Sequence, residues 1–600
     1  MQHFIFNKNY FFVLIISYTL IIYGCIKEEE NIIEIESFNL ISPANNEIEV
    51  KTSTFLEWKR ISPQMIELPY SQLRLLMYPI YKVYVWEKSS NVLIYNKQLT
   101  EFSVNLDSLK YGTEYQWQVI VYISEEIFKE SEIWEFKTEP KTYIGDVNLT
   151  TQEEVDLFGI NKYERIKGDL DIESSLIDPI NNLSPLSSII TIEGTLYILN
   201  NSELNKIEGF ENLTWIEQSL FFQYNSGLTS IKGFISLDSI GNSFGILGNN
   251  ELDTINAFEK LLKVNGSFEI SGNKKLVSLI GFNNIRTITR SLNIKSNYGL
   301  IAINGFFKLE FIGEELNFGY NNLNSIIGFK FLQEIGGDLY LSSNNNLKEI
   351  DGFDNLIFIR GALSLSNTSL TTLQGFNNLV SIESSLNINF NENLTTLTGF
   401  NNLNTVGGYF KIRNSNLILI QGFNRLKLVK EDLDLDFNDA LVNIDGFNDI
   451  QSIGGTLTIR SADKLTSIPS FNNLESVGRW IQITNNDELT IIDGFANLSY
   501  IGSNLYLAVN SKLITIQGFN NLKTIDGRFD ISNNFILTNI GGFEKLLSVG
   551  SDLWITSNFQ LSGFCGIKNL IDADGLKGDY NVFNNLINPT IEEVKLLDCN

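Results

Sequence analysis

The sequence predicts an all-β chain, in which a small β-sandwich over residues 36–139 precedes a parallel solenoid built from 23–24-residue turns. Three observations carry that prediction. Phenylalanine, usually in a Gly-Phe pair, recurs at 210, 234, 258, 282, 306, 329, 353, 376, 400, 423, 447, 471, 495, 519 and 543, always 23 or 24 residues apart. Nearly every interval holds one short alternation that runs into Asn, as in Leu505-Tyr506-Leu507 before Asn510. Upstream, Thr54–Trp58, Tyr81–Trp86 and Trp117–Val121 alternate apolar and polar residues between turn signals. With 43% hydrophobic and 19% charged residues, the composition is that of a folded chain.

The N-terminus reads as an address. Lys8 lies in the first ten residues, and an apolar run follows from Phe11 to Tyr23. The run is shorter than the ~20 residues a bilayer-spanning helix needs and suits a signal-peptide core. It ends in Ile22-Tyr23-Gly24-Cys25, which resembles the lipobox of bacterial lipoproteins. The following Ile26-Lys27-Glu28-Glu29-Glu30 is similar to the acidic export signal of Bacteroidetes-type surface lipoproteins. These resemblances imply a signal peptide over 1–24, acylation of Cys25, a tether over 25–35, and display on the outer membrane through a lipid anchor. With Cys25 lipidated, Cys565 and Cys599 remain as an even pair in an exported protein. Counting therefore predicts a disulfide, which would close a C-terminal cap over 565–600.

Within 36–139, the stretch from Leu109 to Trp117 resembles the approach to a central strand of fibronectin type III domains. The resemblance implies a corner hydrogen bond from Tyr115 and a core position for Trp58. The connection over 61–78 is longer than that family's. Such a domain would space the remainder of the chain away from the membrane.

The solenoid unit is clearest at 489–510, where Leu489, Ile492, Phe495, Leu498, Ile501, Leu505 and Leu507 are the apolar positions. Burying seven such side chains yields roughly 10–20 kcal/mol. Ordering 24 backbone residues costs ~1–2 kcal/mol each. One turn alone therefore loses, and neighbours must cover both of its faces. Counting Leu186 as an early Phe position predicts 16 turns, a rod on the order of 75 Å at ~4.8 Å per strand. The Leu-x-Ile-x-x-Asn strand is similar to the leucine-rich repeat core. Gly454-Gly455-Thr456-Leu457-Thr458-Ile459 and Gly336-Gly337-Asp338-Leu339-Tyr340-Leu341 resemble elements of the receptor L-domain family. That likeness implies a right-handed β-helix over 145–564. Thr151-Gln152-Glu153-Glu154 and Thr590-Ile591-Glu592-Glu593 predict helical caps at its two ends.

Charge and composition narrow the function. A net charge of −26 disfavours nucleic acid, whose phosphates need clustered Lys and Arg. The single histidine is His3, inside the predicted signal peptide, so His-based catalysis and His metal ligation are not expected of the mature chain. No P-loop, Rossmann fingerprint, Cys-x-x-Cys or Gly-x-Ser-x-Gly occurs, and no cofactor is expected. On each Leu-x-Ile strand the intervening residue faces solvent, and turns stack these into columns. Aromatics among polar groups make Trp480, Gln482, Tyr506, Arg528, Asp530 and Trp554 the candidate binding face for a protein or glycan. Plain stacking of large side chains on a flat sheet is the alternative.

The row Asp432, Asp434 and Asp436 admits three readings. Alternate strand residues lie ~6.5–7 Å apart, a separation used by inverting glycosidases. Calcium binding is a second reading. A salt-bridged ladder with Lys411, Arg413 and Arg460 is the third, and those cations would lower the carboxylate pKa values. The functional expectation is a non-catalytic surface lipoprotein that captures a ligand, against a ligand-free spacer or a β-helix polysaccharide enzyme. Fourteen Phe-to-Phe intervals of constant length leave no long loops to wall a catalytic cleft.

Overall fold

The computed structural model describes residues 38–61, 79–123 and 126–599. The signal peptide, Cys25, the Glu28–Glu30 signal and most of the 61–78 connection lie outside those residues. The chain divides after Glu139 into two compact units.

In the first unit, Thr54–Trp58 pairs antiparallel with both Leu40–Ser42 and Ser103–Leu106. A second sheet runs in the order Glu47–Val50, Trp134–Thr138, Glu114–Ile123, Ile80–Glu87 and Val92–Leu99. Strand alternation turns Leu56 and Trp58 of the first sheet, and Tyr81, Val83, Val85, Trp117, Val119 and Val121 of the second, into one buried core. Trp58 packs on Tyr81 with ring centroids 5.5 Å apart. The Tyr115 hydroxyl accepts the amide hydrogen of Lys110 at 3.0 Å, a corner bond of the kind its position predicted.

The second unit is a parallel β-solenoid. Each turn adds a strand to a sheet of long strands, a strand to a sheet of two-residue strands, and often one to a third, interrupted sheet. Register is kept from turn to turn, with Leu505 opposite Ile481 on one side and Phe529 on the other. All seven apolar positions of the 489–507 turn are fully buried. The phenylalanines from Phe210 to Phe543 form one continuous stack, with centroids 4.9–5.7 Å apart and planes within 16° of parallel. Each such contact adds about 0.5–1.5 kcal/mol beyond area burial, and only a neighbouring turn supplies it.

The polar interior is equally repetitive. Asn201, Asn225, Asn249, Asn273 and Asn297 are buried, and each donates its backbone N–H to the Asn side chain one turn later at 2.8–3.0 Å. The Asn225 side chain also donates to the carbonyl of Ile198 at 2.9 Å, holding the bend against the preceding strand. The residue before each ladder Asn turns left-handed, including the non-glycine residues Asn200, Tyr224 and Ser296. At the bend after Phe, Asn402 and Asn521 donate to the Asn377 and Ala496 carbonyls one turn back.

The short-strand sheet contains 18 strands, two turns more than the Gly-Phe count predicted. The added turns pack Val147 with Leu149 and Leu170 with Ile172, apolar pairs that carry no Gly-Phe marker. A helix over Gln152–Ile160 covers the first turn and buries Val155, whereas Leu157 is exposed. Thr151 caps it, but Glu154 reaches back to Thr150 instead of completing a capping box. At the other end, Thr590 and Glu593 form a full capping box on Ile591–Lys595. Cys565 and Cys599 are disulfide-bonded, with Cα atoms 5.6 Å apart.

Candidate binding face

The long strands alternate strictly, so every second side chain leaves the core. Gln482, Tyr506, Asp530 and Trp554 lie directly opposite one another in successive strands, forming one outward row. Trp480, Asn504, Arg528 and Asp552 immediately precede those strands and form a second row, joined to the strands before them through their carbonyls. The six candidate residues therefore share one surface.

Their exposure is uneven, and this corrects the expectation of three solvent-facing aromatics. Trp480 is 38% exposed, whereas Tyr506 and Trp554 are half-buried and Asp530 is buried. The reason is mutual contact. The Arg528 guanidinium lies 4.3 Å from the Trp554 ring centroid and donates to Asp530 Oδ2 at 2.5 Å. Phe583 of the C-terminal cap meets Trp554 edge-on at 6.2 Å. The Tyr506 hydroxyl accepts from Asn504 Nδ2 at 2.9 Å, and Gln482 donates to Thr484 Oγ1 at 3.3 Å. Among the described residues, Asp530 Oδ1, Arg528 Nε and Trp554 Nε1 have no hydrogen-bond partners.

Four turns earlier, the acidic row resolves into two parts. Asp432 precedes its strand and turns into the corner, where Oδ1 accepts the Thr456 N–H at 2.8 Å. The carboxylate fills the space a Cβ on Gly455 would need, which explains that glycine. The same arrangement joins Asp338 to Gly361 and Asn504 to Gly527. Asp434 and Asp436 are buried and face arginines. Arg413 donates to Asp434, and Arg460 donates to Asp436 Oδ2 at 2.7 Å. Lys411 instead sits over the Tyr409 ring at 4.2 Å.

The expected downward shift of these carboxylates fails at Asp436. Burial pushes its carboxyl above the usual range, outweighing the pull of Arg460 and Arg413. Both carboxylates spend their charge on guanidinium groups, and among the described residues no group of His, Cys, Asp or Glu is placed to hold a metal ion.

Sequence reasoning missed the corner role of Asp432 and the fold of Arg528 across Trp554. The first had a signal, an Asp or Asn followed one turn later by Gly-x-Leu or Gly-x-Phe. The second depends on a diagonal reach that alternation does not encode. Comparison with family models, with curated proteins and with solved structures gave no match to this chain.

Proposed function

We propose that the chain is a lipid-anchored protein of the outer cell surface whose solenoid captures a protein or glycan ligand on the long-strand face around Trp480. Trp480 is the observation that carries this reading. An indole more than a third exposed on a flat sheet, with no ring or cation stacked on it among the described residues, offers apolar area that a partner would recover at about 25 cal/mol per Å². Tyr506, one row across, supplies a second ring. The N-terminal unit, read as fibronectin type III-like, and the solenoid, read as a right-handed receptor L-domain-like array, would then serve as stalk and receptor. No catalytic step and no cofactor enters the reading.

The test uses the ectodomain without its signal peptide, in glycan-array and pull-down screens. Trp480→Ala with Tyr506→Ala should weaken any captured ligand at least ~10-fold while leaving thermal unfolding nearly unchanged. Full affinity in the folded double variant would refute the site. That outcome favours the second reading, a ligand-free spacer, to which the internal pairing of Arg528, Asp530 and Trp554 already lends weight.

A further inference from the structure

The long-strand face has a second constellation at its opposite end. Asn148, Asp171, Tyr197, Phe221 and Gly245 continue the central outward row in register through the first turns. Tyr197 and Phe221 stack at 5.5 Å with planes 16° apart. The next residue in the row is glycine, and a Cβ there would lie 2.6 Å from Phe221 Cδ1. Beside it, a Cβ on Gly248 would lie 2.8 Å from a ring carbon of Tyr224. These glycines make room for aromatic rings laid down along the sheet.

An open hollow of about 470 Å³ adjoins this platform, lined by Asn148, Thr150, Asp171, Glu173, Tyr197 and Leu199. Its charge is one-sided. Burial raises the Asp171 carboxyl pKa, and the neighbouring charges of Asp169, Asp146 and Glu173 raise it further. Asp171 Oδ1 has no hydrogen-bond partner among the described residues. Asp146 and Asp169 each accept a backbone N–H, and Glu173 accepts from Asn200, all neutral donors. Elsewhere on the same face, the buried carboxylates of Asp434, Asp436 and Asp530 each hold an arginine. At Asp171, by contrast, the neighbouring charges that act on the carboxyl are themselves carboxylates.

We propose that this hollow receives a cationic side chain, an arginine or lysine from a basic segment of a partner protein, held between the Asp171 and Glu173 carboxylates and the Tyr197 ring. An uncompensated acidic group beside an aromatic face is the complement of a guanidinium or ammonium. The carboxylates supply charge-assisted hydrogen bonds, and the ring supplies cation–π attraction. Leu176 and Ile177, fully exposed on the loop that follows Glu173, offer apolar contact to the residues flanking that cation. The site is independent of the Trp480 face and stands or falls without it.

The test is fluorescence anisotropy on the whole ectodomain, with a labelled Gly-Arg repeat peptide and its Gly-Gln counterpart at about 50 mM salt. The arginine peptide should bind and the glutamine peptide should not. Asp171→Asn with Glu173→Gln should weaken binding roughly tenfold, and Tyr197→Ala should weaken it several-fold. Asp463→Asn with Asp487→Asn removes the same charge from another exposed acidic stack and should leave affinity unchanged. Trp480→Ala should also leave it unchanged. Equal loss in the Asp463 and Asp487 variant would mean diffuse attraction to an acidic surface and overturn the proposal. Unaltered binding by the Asp171 and Glu173 variant, or equal binding of the glutamine peptide, overturns it as well. Unfolding profiles of each variant exclude misfolding as the cause.

Discussion

Replacing Asn510 by Ala should open the solenoid locally, and the structure sets the size of the effect. Asn510 is fully buried. Its Nδ2 donates to the Ile483 carbonyl at 3.0 Å, and its Oδ1 accepts from both the backbone N–H and the side chain of Asn486 at 3.2 Å. The backbone bond from Asn510 to Asn534 survives the substitution. Three neutral hydrogen bonds at ~0.5–1.5 kcal/mol each are lost, and a buried amide of Asn486 is left unpaired, so the cost is about 3 kcal/mol. Long repeat arrays do not unfold as one two-state unit, which makes a single melting temperature a poor readout. Amide hydrogen exchange reports the event directly. About 3 kcal/mol corresponds to a roughly 100-fold loss of protection at Asn486 and its strand, with remote turns near Asn249 unaffected. The chain contains its own control, because Ala462 already interrupts the ladder between Asn438 and Asn486. Wild-type protection at Asn438 should therefore be lower than at Asn486. Unchanged exchange at Asn486 in the Asn510→Ala variant would refute the argument that these side chains tie one turn to the next.

The remaining predictions concern charge, packing and address. Arg460→Ala should destabilise by about 2 kcal/mol at neutral pH, less than a fully buried pair because Arg460 is 34% exposed. The Asp436 carboxyl is already raised by burial, and losing Arg460 raises it further, so the penalty belongs to the ionised form. It is present above the folded pKa and relieved as pH falls through it; urea unfolding should show the deficit against wild type shrinking as pH is lowered from neutral, and a constant deficit contradicts this. Phe400→Ala removes a ring stacked between Phe376 and Phe423 and should cost ~3–5 kcal/mol, whereas Phe400→Leu should cost about 1 kcal/mol by chemical denaturation. Cys25→Ser should release the protein from membranes or leave it unprocessed, and wild-type fractionation of that variant would reject lipid anchoring.

The core was legible because burial in a stacked turn is periodic. The seven apolar positions, the Phe stride and the ladder Asn recur in most units, and where they occur they stand at the position their spacing indicates. The first two turns escaped because Val147, Leu149, Leu170 and Ile172 fill the same inward positions without Gly-Phe. The face was legible only in outline. Alternation identifies which side chains leave the core, but not whether Arg528 stands in solvent or lies across Trp554. Grouping Asp432 with Asp434 and Asp436 failed for a related reason. Asp432 stands just before the strand, where its carboxylate is claimed by the corner amide of Thr456. The platform at Tyr197 and Phe221 depends on glycines a full turn away, a relation visible only when the 24-residue stride is read across the sheet.

Because the ladder Asn side chains and the Phe rings meet their equivalents one turn away, and the corner carboxylates accept backbone amides of the next turn, most joints between turns share one chemistry, with Ala462 an exception. A whole turn such as 274–297 could be excised or duplicated, and its neighbours would meet matching partners. Reach is then a quantity that recombination between repeats adjusts in steps of ~4.8 Å, leaving the end caps and the chemistry of both outer patches untouched. The reading surface and the distance between its two ends are thus separate variables, and a lineage carrying this chain can change one while keeping the other.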